Sequence, residues 1–288
     1  MKNRHSEILS FNTVEGKTAY NPPMPFFEGG IRYMAVRVES LESELDSKIV
    51  FARETEDNKW IIDYSVPSLG LQDPTYQKIR GEIVLSGVRV QKEEKEAGWH
   101  QEFYRGDSIR TLNHFTSGPK GMKDIRLVDL DEKIGVFTRP NGKIGGLGKI
   151  GYLEVNSVDE LEGLTENDWY GADMIGGLFD DESWGGVNQA VKLSDGMIGV
   201  IGHKAHKTFP EGVLQKHYHA ISFRYDPRTN VQSHLKNIAK RDDFPTSISK
   251  RSPELDNVIF PAGVDEEFNL YCGLSDYCIG VRKIENPF

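Results

Sequence analysis

Residues 124–140 read DIRLVDLDEKIGVFTRP, and this stretch decides the expected fold. Its apolar residues form two short blocks on either side of the acidic turn DLDEK, a pattern typical of two strands joined by a tight connection. The second block ends in a polar side chain, Arg139. Helical patterns are scarce in the rest of the chain, so an all-β protein is expected.

The same unit occurs five times along the 288 residues. The other copies are NPPMPFFEGGIRYMAVRVE (21–39), IVLSGVRV with WHQEFYRG (83–106), VNQAVKLSDGMIGVIGHK (187–204) and VIFPAGVDEEFNLYCGLSD (258–276). The second strands of the five copies end near Arg37, Arg105, Arg139, His203 and Gly273. Five four-stranded blades of about 45–60 residues would use the whole chain, which predicts a five-bladed β-propeller forming one domain over residues 1–288. A β-sandwich is the alternative, but it does not explain the repeated polar ends.

Composition excludes several classes of protein. The net charge is −9, from 35 basic and 44 acidic residues, and no basic stripe is present, which argues against a nucleic-acid partner. No segment approaches the ~18 apolar residues that span a bilayer, and the N-terminus lacks the apolar core of a signal peptide. The two cysteines, Cys272 and Cys278, are too few for a disulfide framework. A soluble, cytoplasmic protein with reduced thiols and no membrane partner is expected.

Two motifs have ordinary explanations. The glycine-rich stretch NGKIGGLGKIG (141–151) fails the phosphate-loop pattern because Ile150 follows Lys149 where Ser or Thr is required. His217 and His219 would share one face of a strand, but no carboxylate or thiol stands beside them at ligand spacing. Surface or cleft-lining histidines are favoured over a metal site, and no metal is expected.

The most informative stretch for function is GPKGMKDIRLVDL (118–130), in which Asp124 stands between Lys123 and Arg126 at the start of a strand. One interpretation is a surface ion pair worth about 0–1 kcal/mol. The other is an acid at the mouth of the propeller channel, whose protonation the basic neighbours tune. Composition alone does not separate the two.

Four motifs, taken in order, resemble glycoside hydrolase family 130, the inverting β-mannoside phosphorylases and mannosidases. They are NPPM with YMAVRVE (21–39), GPKGMKDIRLVDLDEKIGVFTR (118–139), GGVNQAVKLSDGMIGVIGHK (185–204) and LDNVIFPAGVDEEFNLYCGLSDYCIGV (255–281). The resemblance covers residues 20–284 and is greatest to a subgroup named domain of unknown function family 1861. It implies a five-bladed propeller with the active site in the central funnel.

The resemblance also implies roles for individual residues. Asp124 matches the family's single catalytic Asp, the proton donor, which acts through a hydroxyl of the bound mannose. Asn21 and Arg37 fall where the family holds this mannose, and Asp276 falls on a further sugar-binding Asp. Phosphate-binding positions of the family correspond to His203, Arg139 and Lys192.

These residues favour phosphorolysis, because phosphate is already an anionic nucleophile and needs a basic cradle rather than a catalytic base. The expected reaction converts a β-mannoside and inorganic phosphate into mannose 1-phosphate, with no cofactor. The alternatives are a hydrolase on the same fold, which needs a carboxylate base, and a non-catalytic sugar-binding propeller. Candidate bases are Glu28, Asp173, Asp180 and Glu182. Lys123 and Ile125 depart from the family pattern, which usually has Glu and Pro at these positions.

Overall fold

The computed structural model describes residues 6–12, 16–56, 58–92 and 97–288. In chain order the strands are β1 (Ser6–Ile8), β2 (Ser10–Asn12), β3 (Lys17–Tyr20), β4 (Phe26–Glu28), β5 (Ile31–Ser40), β6 (Lys48–Glu56), β7 (Lys59–Ile62), β8 (Gln72–Ile79), β9 (Glu82–Lys92), β10 (Ala97–Gly106), β11 (Asn113–Ser117), β12 (Arg126–Asp129), β13 (Ile134–Thr138), β14 (Gly151–Val155), β15 (Asp173–Met174), β16 (Trp184–Lys192), β17 (Ile198–Thr208), β18 (Gln215–Asp226), β19 (Val231–Ala239), β20 (Ile259–Val264), β21 (Asn269–Leu274) and β22 (Cys278–Lys283). The helices are short: α1 (Gly142–Gly145), α2 (Glu166–Tyr170) and 3₁₀ turns at Val158–Gly163, Pro210–Gly212 and Arg241–Asp243.

The strands form five sheets, which are the blades of a propeller. Blade 1 has the order β2-β7-β6-β5-β3 with β4 also on β5, blade 2 is β8 to β11, blade 3 is β12 to β15, and blade 4 is β16 to β19. Blade 5 has the order β20-β21-β22-β1, so the first strand of the chain completes the last blade. The inner strand β12 contacts β8 and β16, and β16 contacts β20, which places these strands around a common channel. The predicted five-bladed β-propeller is confirmed.

The core is divided into five apolar clusters, one between each pair of neighbouring blades. Strand β5 shows how this arises from sequence. Met34 and Val36 pack toward blade 5, whereas Tyr33 and Ala35, which alternate with them, pack toward blade 2. Both faces of a blade are therefore buried, which explains why the strands read as continuous apolar blocks.

The prediction for one of the five repeat units is shifted along the chain by one strand. Residues 83–106 form β9 and β10, the second and third strands of blade 2, whereas its inner strand is β8. Arg105 consequently lies on a third strand, where it pairs with Asp159 and Glu162 away from the channel. The copies in blades 3, 4 and 5 coincide with the first two strands of those blades, and the copy in blade 1 covers β4 and β5.

Two further features concern the chain as a whole. Cys272 and Cys278 are both free thiols, on the neighbouring strands β21 and β22. In the part of the chain that the structure describes, no helix is long and apolar enough to cross a membrane.

Candidate active site

A polar cavity of about 220 Å³ opens at one end of the central channel. All five blades, together with the loops between them, contribute to its wall. The lining residues are Asn21, Arg37, Glu44, Gln72, Asp73, Lys123, Asp124, Arg139, His203, Lys216, Tyr218, Arg251, Leu255, Val258, Phe260 and Asp276. Six of the seven residues predicted for the site therefore line one cavity.

Blades 1, 2 and 3 each present a polar residue to this cavity from the same backbone conformation, at the start of β8 or in the connections that lead into β4 and β12. Asn21, Asp73 and Asp124 have φ values of 46°, 47° and 59°, in the left-handed region. Asn and Asp are the non-glycine residues that occupy this region most readily, because their short side chains can hydrogen-bond locally. Residues held in such sparsely populated conformations tend to cluster at functional sites.

Asp124 is buried between cations. One carboxylate oxygen lies 3.4 Å from Nη1 of Arg139, and the other lies 3.8 Å from Nη2 of Arg126. Burial by itself would raise the pKa of this carboxyl, but the positive charges of Arg139, Lys123 and Arg126 outweigh this effect and lower the pKa to about 2. Asp124 is 3% exposed, so it is not part of a surface ion pair.

Arg37 is fixed on the opposite side of the cavity. It donates from Nε to Glu39, at 2.8 Å, and from Nη1 to Asp73, at 3.1 Å. Asn21 donates its side-chain amide to the same oxygen of Asp73, at 3.0 Å. The arginine lowers the pKa of Asp73 against the effect of burial, so this group of side chains carries fixed charges and well-defined donors.

Asp276 reaches the cavity from a tight turn between β21 and β22. Ser275 and Asp276 have φ values of 51° and 50°, and the amide of Tyr277 donates to the carbonyl of Leu274 at 2.9 Å. These are the features of the left-handed turns that suit the twist of a hairpin. Burial raises the pKa of Asp276 to about 6.

His203 lies in the cavity wall but is not a cationic group. Its Nδ1 is 2.8 Å from the side-chain oxygen of Asn188, and its ring stacks on Tyr218 with the centroids 5.6 Å apart. Burial, supported by nearby Arg139, lowers the pKa of His203 to about 3. The imidazole is therefore neutral at physiological pH and can offer a hydrogen bond, not a charge.

Lys192 does not belong to this site, which corrects the prediction made from sequence. Strand β16 passes the cavity at Gly186, opposite His203, and Lys192 lies six residues further along, at the other end of the strand. Six extended residues span about 20 Å. Lys192 pairs there with Asp131.

Ten of the sixteen lining residues were not assigned a role from sequence, and among them are Asp73, Lys123, Lys216 and Tyr218. Asp73 carries a usable signal, because Asp73-Pro74 on β8 repeats the Asn21-Pro22 pattern of blade 1. Tyr218 alternates with two histidines on β18, and the structure turns the tyrosine toward the cavity.

His217 and His219 face away from the funnel, where both rings stack against His206 with centroids 4.8 and 5.8 Å apart. Within the described ranges, no group of three or more His, Cys, Asp or Glu side chains is arranged to hold a metal ion.

The candidate hydrolytic bases do not line the cavity. Glu28 accepts hydrogen bonds from Ser108 and from the amide of Ile109. Asp173 on β15 is exposed, as are Asp180 and Glu182 in the connection before β16.

A family model described as a protein of unknown function, DUF1861, matches residues 1–288. The chain belongs to this family. The resemblance to this subgroup noted from sequence is thereby confirmed. None of the curated proteins matches the DUF1861 chain.

Solved structures with this fold include two from Leishmania mexicana. MPT-4, a mannose phosphorylase in complex with a phosphate ion, is 31% identical with a TM-score of 0.90, and the alignment covers 99% of the DUF1861 chain and 89% of MPT-4. MPT-1, a GDP-Man-dependent mannosyltransferase, is 32% identical with a TM-score of 0.88, over 99% and 90% of the two chains. The β-1,2-mannobiose phosphorylase of Listeria innocua is 14% identical with a TM-score of 0.65, over 93% and 90% of the chains, and shows that the fold is shared.

Proposed function

We propose that the chain is a phosphorylase that cleaves β-mannosides with inorganic phosphate and releases mannose 1-phosphate. The observation that carries this proposal is one cavity in which a buried carboxyl, Asp124, lies between a sugar-binding set of side chains and a cationic arginine, Arg139. The similarity to MPT-4, a mannose phosphorylase, supports it. The proposal requires no metal or organic cofactor.

In the proposed reaction, Asn21, Arg37 and Asp276 hold the mannosyl group by its hydroxyls. Phosphate, oriented by Arg139 and His203, attacks the anomeric carbon from the face opposite the leaving group. The bond from this carbon to the glycosidic oxygen breaks, and the leaving oxygen receives the proton that Asp124 supplies through a mannose hydroxyl. A single displacement inverts the configuration, so a β-mannoside gives α-mannose 1-phosphate.

Hydrolysis is the second candidate, and Asp276 is the observation that favours it. A hydrolase needs a carboxylate that activates water, and the pKa of about 6 gives Asp276 the proton affinity of a working base. Phosphate-independent cleavage of a mannoside would select this alternative. A protein that binds sugars without turning any of them over would be a non-catalytic propeller.

The test is phosphate release from α-mannose 1-phosphate by the purified chain, with glucose, mannose, N-acetylglucosamine and short mannosides as acceptors. Because MPT-1 depends on GDP-Man, GDP-mannose is offered as a parallel donor. Release that depends on one acceptor is expected from mannose 1-phosphate. Absence of release with every acceptor contradicts the proposal, and transfer from GDP-mannose alone replaces it with a nucleotide-sugar transferase.

Asp124→Asn is expected to lower this rate by about 10³-fold, whereas the binding of sugar is retained. In the direction of this assay Asp124 accepts the proton of the acceptor hydroxyl, which is the reverse of its donation in phosphorolysis, and Asn can do neither. Asn tolerates the positive φ at this position, so the fold is kept. The matched control is Asp131→Asn, an exposed aspartate with φ 70° outside the cavity, which should retain the wild-type rate. A fully active Asp124→Asn protein would show that another group donates the proton.

A further inference from the structure

The side chains around Asp124 do not suit a proton donor. A donor must carry a proton before it can give one, and two guanidinium groups within 4 Å favour the ionised carboxylate. A carboxyl that acts as an acid at neutral pH is usually held in an apolar site or beside another anion. If Asp124 is the acid, something that binds during the reaction must change its surroundings.

Lys123 supplies the second observation. It is half-buried in the cavity wall next to Asp124, and it makes no hydrogen bond or ion pair with any residue that the structure describes. The other cations of the cavity have partners. Arg37 pairs with Glu39 and Asp73, Arg139 with Asp124, Lys216 with Glu254, and Arg251 with Glu44. This ammonium group has no hydrogen-bonding partner, and its charge acts on Asp73 and Asp124 only at longer range, so it can receive a further anion.

We propose that phosphate binds between Lys123 and Arg139, on either side of Asp124, and that its arrival drives a proton onto the Asp124 carboxyl. This inference rests on the proposed function and deepens it. Lys123 takes the role that sequence gave to Lys192, which lies at the far end of β16. His203 is neutral, and Arg126 is held by backbone carbonyls. The cations beside Asp124 that can meet a phosphate dianion are therefore Lys123 and Arg139, and the carboxylate partner of Arg139 is Asp124 itself.

The physical reason for the coupling is repulsion between two anions in one pocket. Phosphate beside Asp124 shares the cations that held the carboxylate ionised, and two neighbouring anions favour protonation of one of them. The groups that face Asp124 are Lys123 and Arg126 from its own segment, Arg139 from the end of β13, His203 from β17, Asp73 from β8 and Tyr218 from β18. Arg126 is held by the carbonyls of Ile125 and Asn188 and stays with Asp124.

The proton balance closes over one turnover. Solvent provides the proton that Asp124 takes up when phosphate binds. Asp124 then gives this proton to the leaving oxygen, and hydrogen phosphate loses its own proton when its oxygen forms the bond to the anomeric carbon. The reaction therefore consumes no net proton, although the binding step does.

The test is calorimetric titration of inorganic phosphate into the chain without sugar, in two buffers that differ in ionisation enthalpy, near neutral pH. For each phosphate bound, the wild-type protein is expected to take up more protons from solvent than Asp124→Asn does, and the difference should be up to about one proton. Asp124→Asn, which lacks the repelling charge and needs no proton, should bind phosphate at least about 10³-fold more tightly near neutral pH, because the wild-type protein must protonate a carboxyl whose pKa is about 2. Sulfate, which does not titrate in this range, serves as a second probe in which any proton uptake belongs to the protein.

Lys123→Gln should weaken phosphate binding at least about tenfold, whereas Lys192→Gln, the matched lysine outside the cavity, should leave it unchanged. Equal proton uptake by the wild-type and Asp124→Asn proteins, or wild-type affinity in Lys123→Gln, overturns the inference. If phosphate binds and the chain turns over without this coupling, the proposed function stands and the inference alone fails. If phosphate does not bind at all, both fail.

Discussion

Asp276 illustrates how a single side chain makes stability depend on pH. Burial raises its pKa to about 6, with Asp73 and Glu44 adding to the shift and Arg37 and Arg251 opposing it. An aspartate in the unfolded chain has a pKa of about 4. Between these values the folded protein binds more protons than the unfolded chain, so the contribution of Asp276 to stability falls as the pH rises.

Asp276→Asn is expected to remove this dependence. The free energy of unfolding of the wild-type protein, relative to that of the variant, should decrease as the pH rises through this interval and level off above it. Chemical denaturation at a series of pH values measures the difference. Asp181→Asn, at an exposed acid outside the cavity, is the control. If the free energies of unfolding of the wild-type and Asp276→Asn proteins change in parallel with pH, the expectation is contradicted.

The residues found from sequence and those missed differ for physical reasons. Asn21, Asp124 and Asp276 occur in motifs whose order along the chain is informative, and all three line the cavity. The neutral state of His203 depends on burial and neighbouring charge, which no local pattern records. The prediction for Lys192 was wrong because it depended on which end of β16 meets the funnel. An alternating apolar pattern predicts a strand but does not tell which end of the strand lies at the site.

At the scale of elements, the inner strands were the hardest to predict. The second strands carry apolar blocks that pack between blades, and these blocks predicted four of the five units correctly. Strand β8 reads QDPTYQKI and has no such block, because several of its side chains face the polar channel rather than a neighbouring blade. Its two polar leading residues, Gln72 and Asp73, are part of the site for the same reason.

Strand β16 positions the site through the absence of a side chain. A Cβ atom on Gly186 would lie 3.1 Å from Cδ of Arg139, 3.1 Å from Cε1 of His203 and 3.2 Å from Cβ of Asp124. These separations are closer than ordinary van der Waals contact. The three groups of the proposed phosphate and proton-donor sites can therefore converge only because this residue is glycine.

Gly186→Ala is expected to lower kcat/KM for phosphorolysis about tenfold or more, because displacements of a fraction of an ångström at reacting groups are costly. Steady-state kinetics with the acceptor identified above measures the effect. Gly176→Ala, where a Cβ would meet no atom within 4 Å, should behave as wild type. Equal activity of the two variants would mean that the cavity tolerates a shift of Arg139 and His203.

At the scale of the whole molecule, the ring is closed by its first strand. Strand β1 pairs with β22 through Ser6 to Ile8, and the amide of Leu9 donates to the carbonyl of Ile279 at 2.8 Å. Leu9 is buried in the cluster between blades 5 and 1. The closure thus combines a strand ladder with apolar packing, and it joins residues from the two ends of the chain.

Leu9→Ala is expected to lower the free energy of unfolding by about 2–5 kcal/mol, because it leaves a cavity where two blades meet. Leu45→Ala, at a leucine that is 63% exposed, is the matched control and should cost less than about 0.5 kcal/mol. Urea denaturation of the two variants provides the comparison. Similar losses in both would show that the closing contact does not limit stability.

The left-handed positions at Asn21, Asp73 and Asp124 also bear on how such a ring can diversify. The three residues occupy equivalent backbone positions in blades 1, 2 and 3. Asn and Asp both tolerate the left-handed conformation, so one can replace the other at each position without a change of backbone. Replacement of Asn by Asp, or of Asp by Asn, at one of these positions changes the negative charge that faces the funnel, while the packing of every blade is kept. Repeated blades thus provide equivalent positions at which a single substitution adds a negative charge to the funnel or removes one.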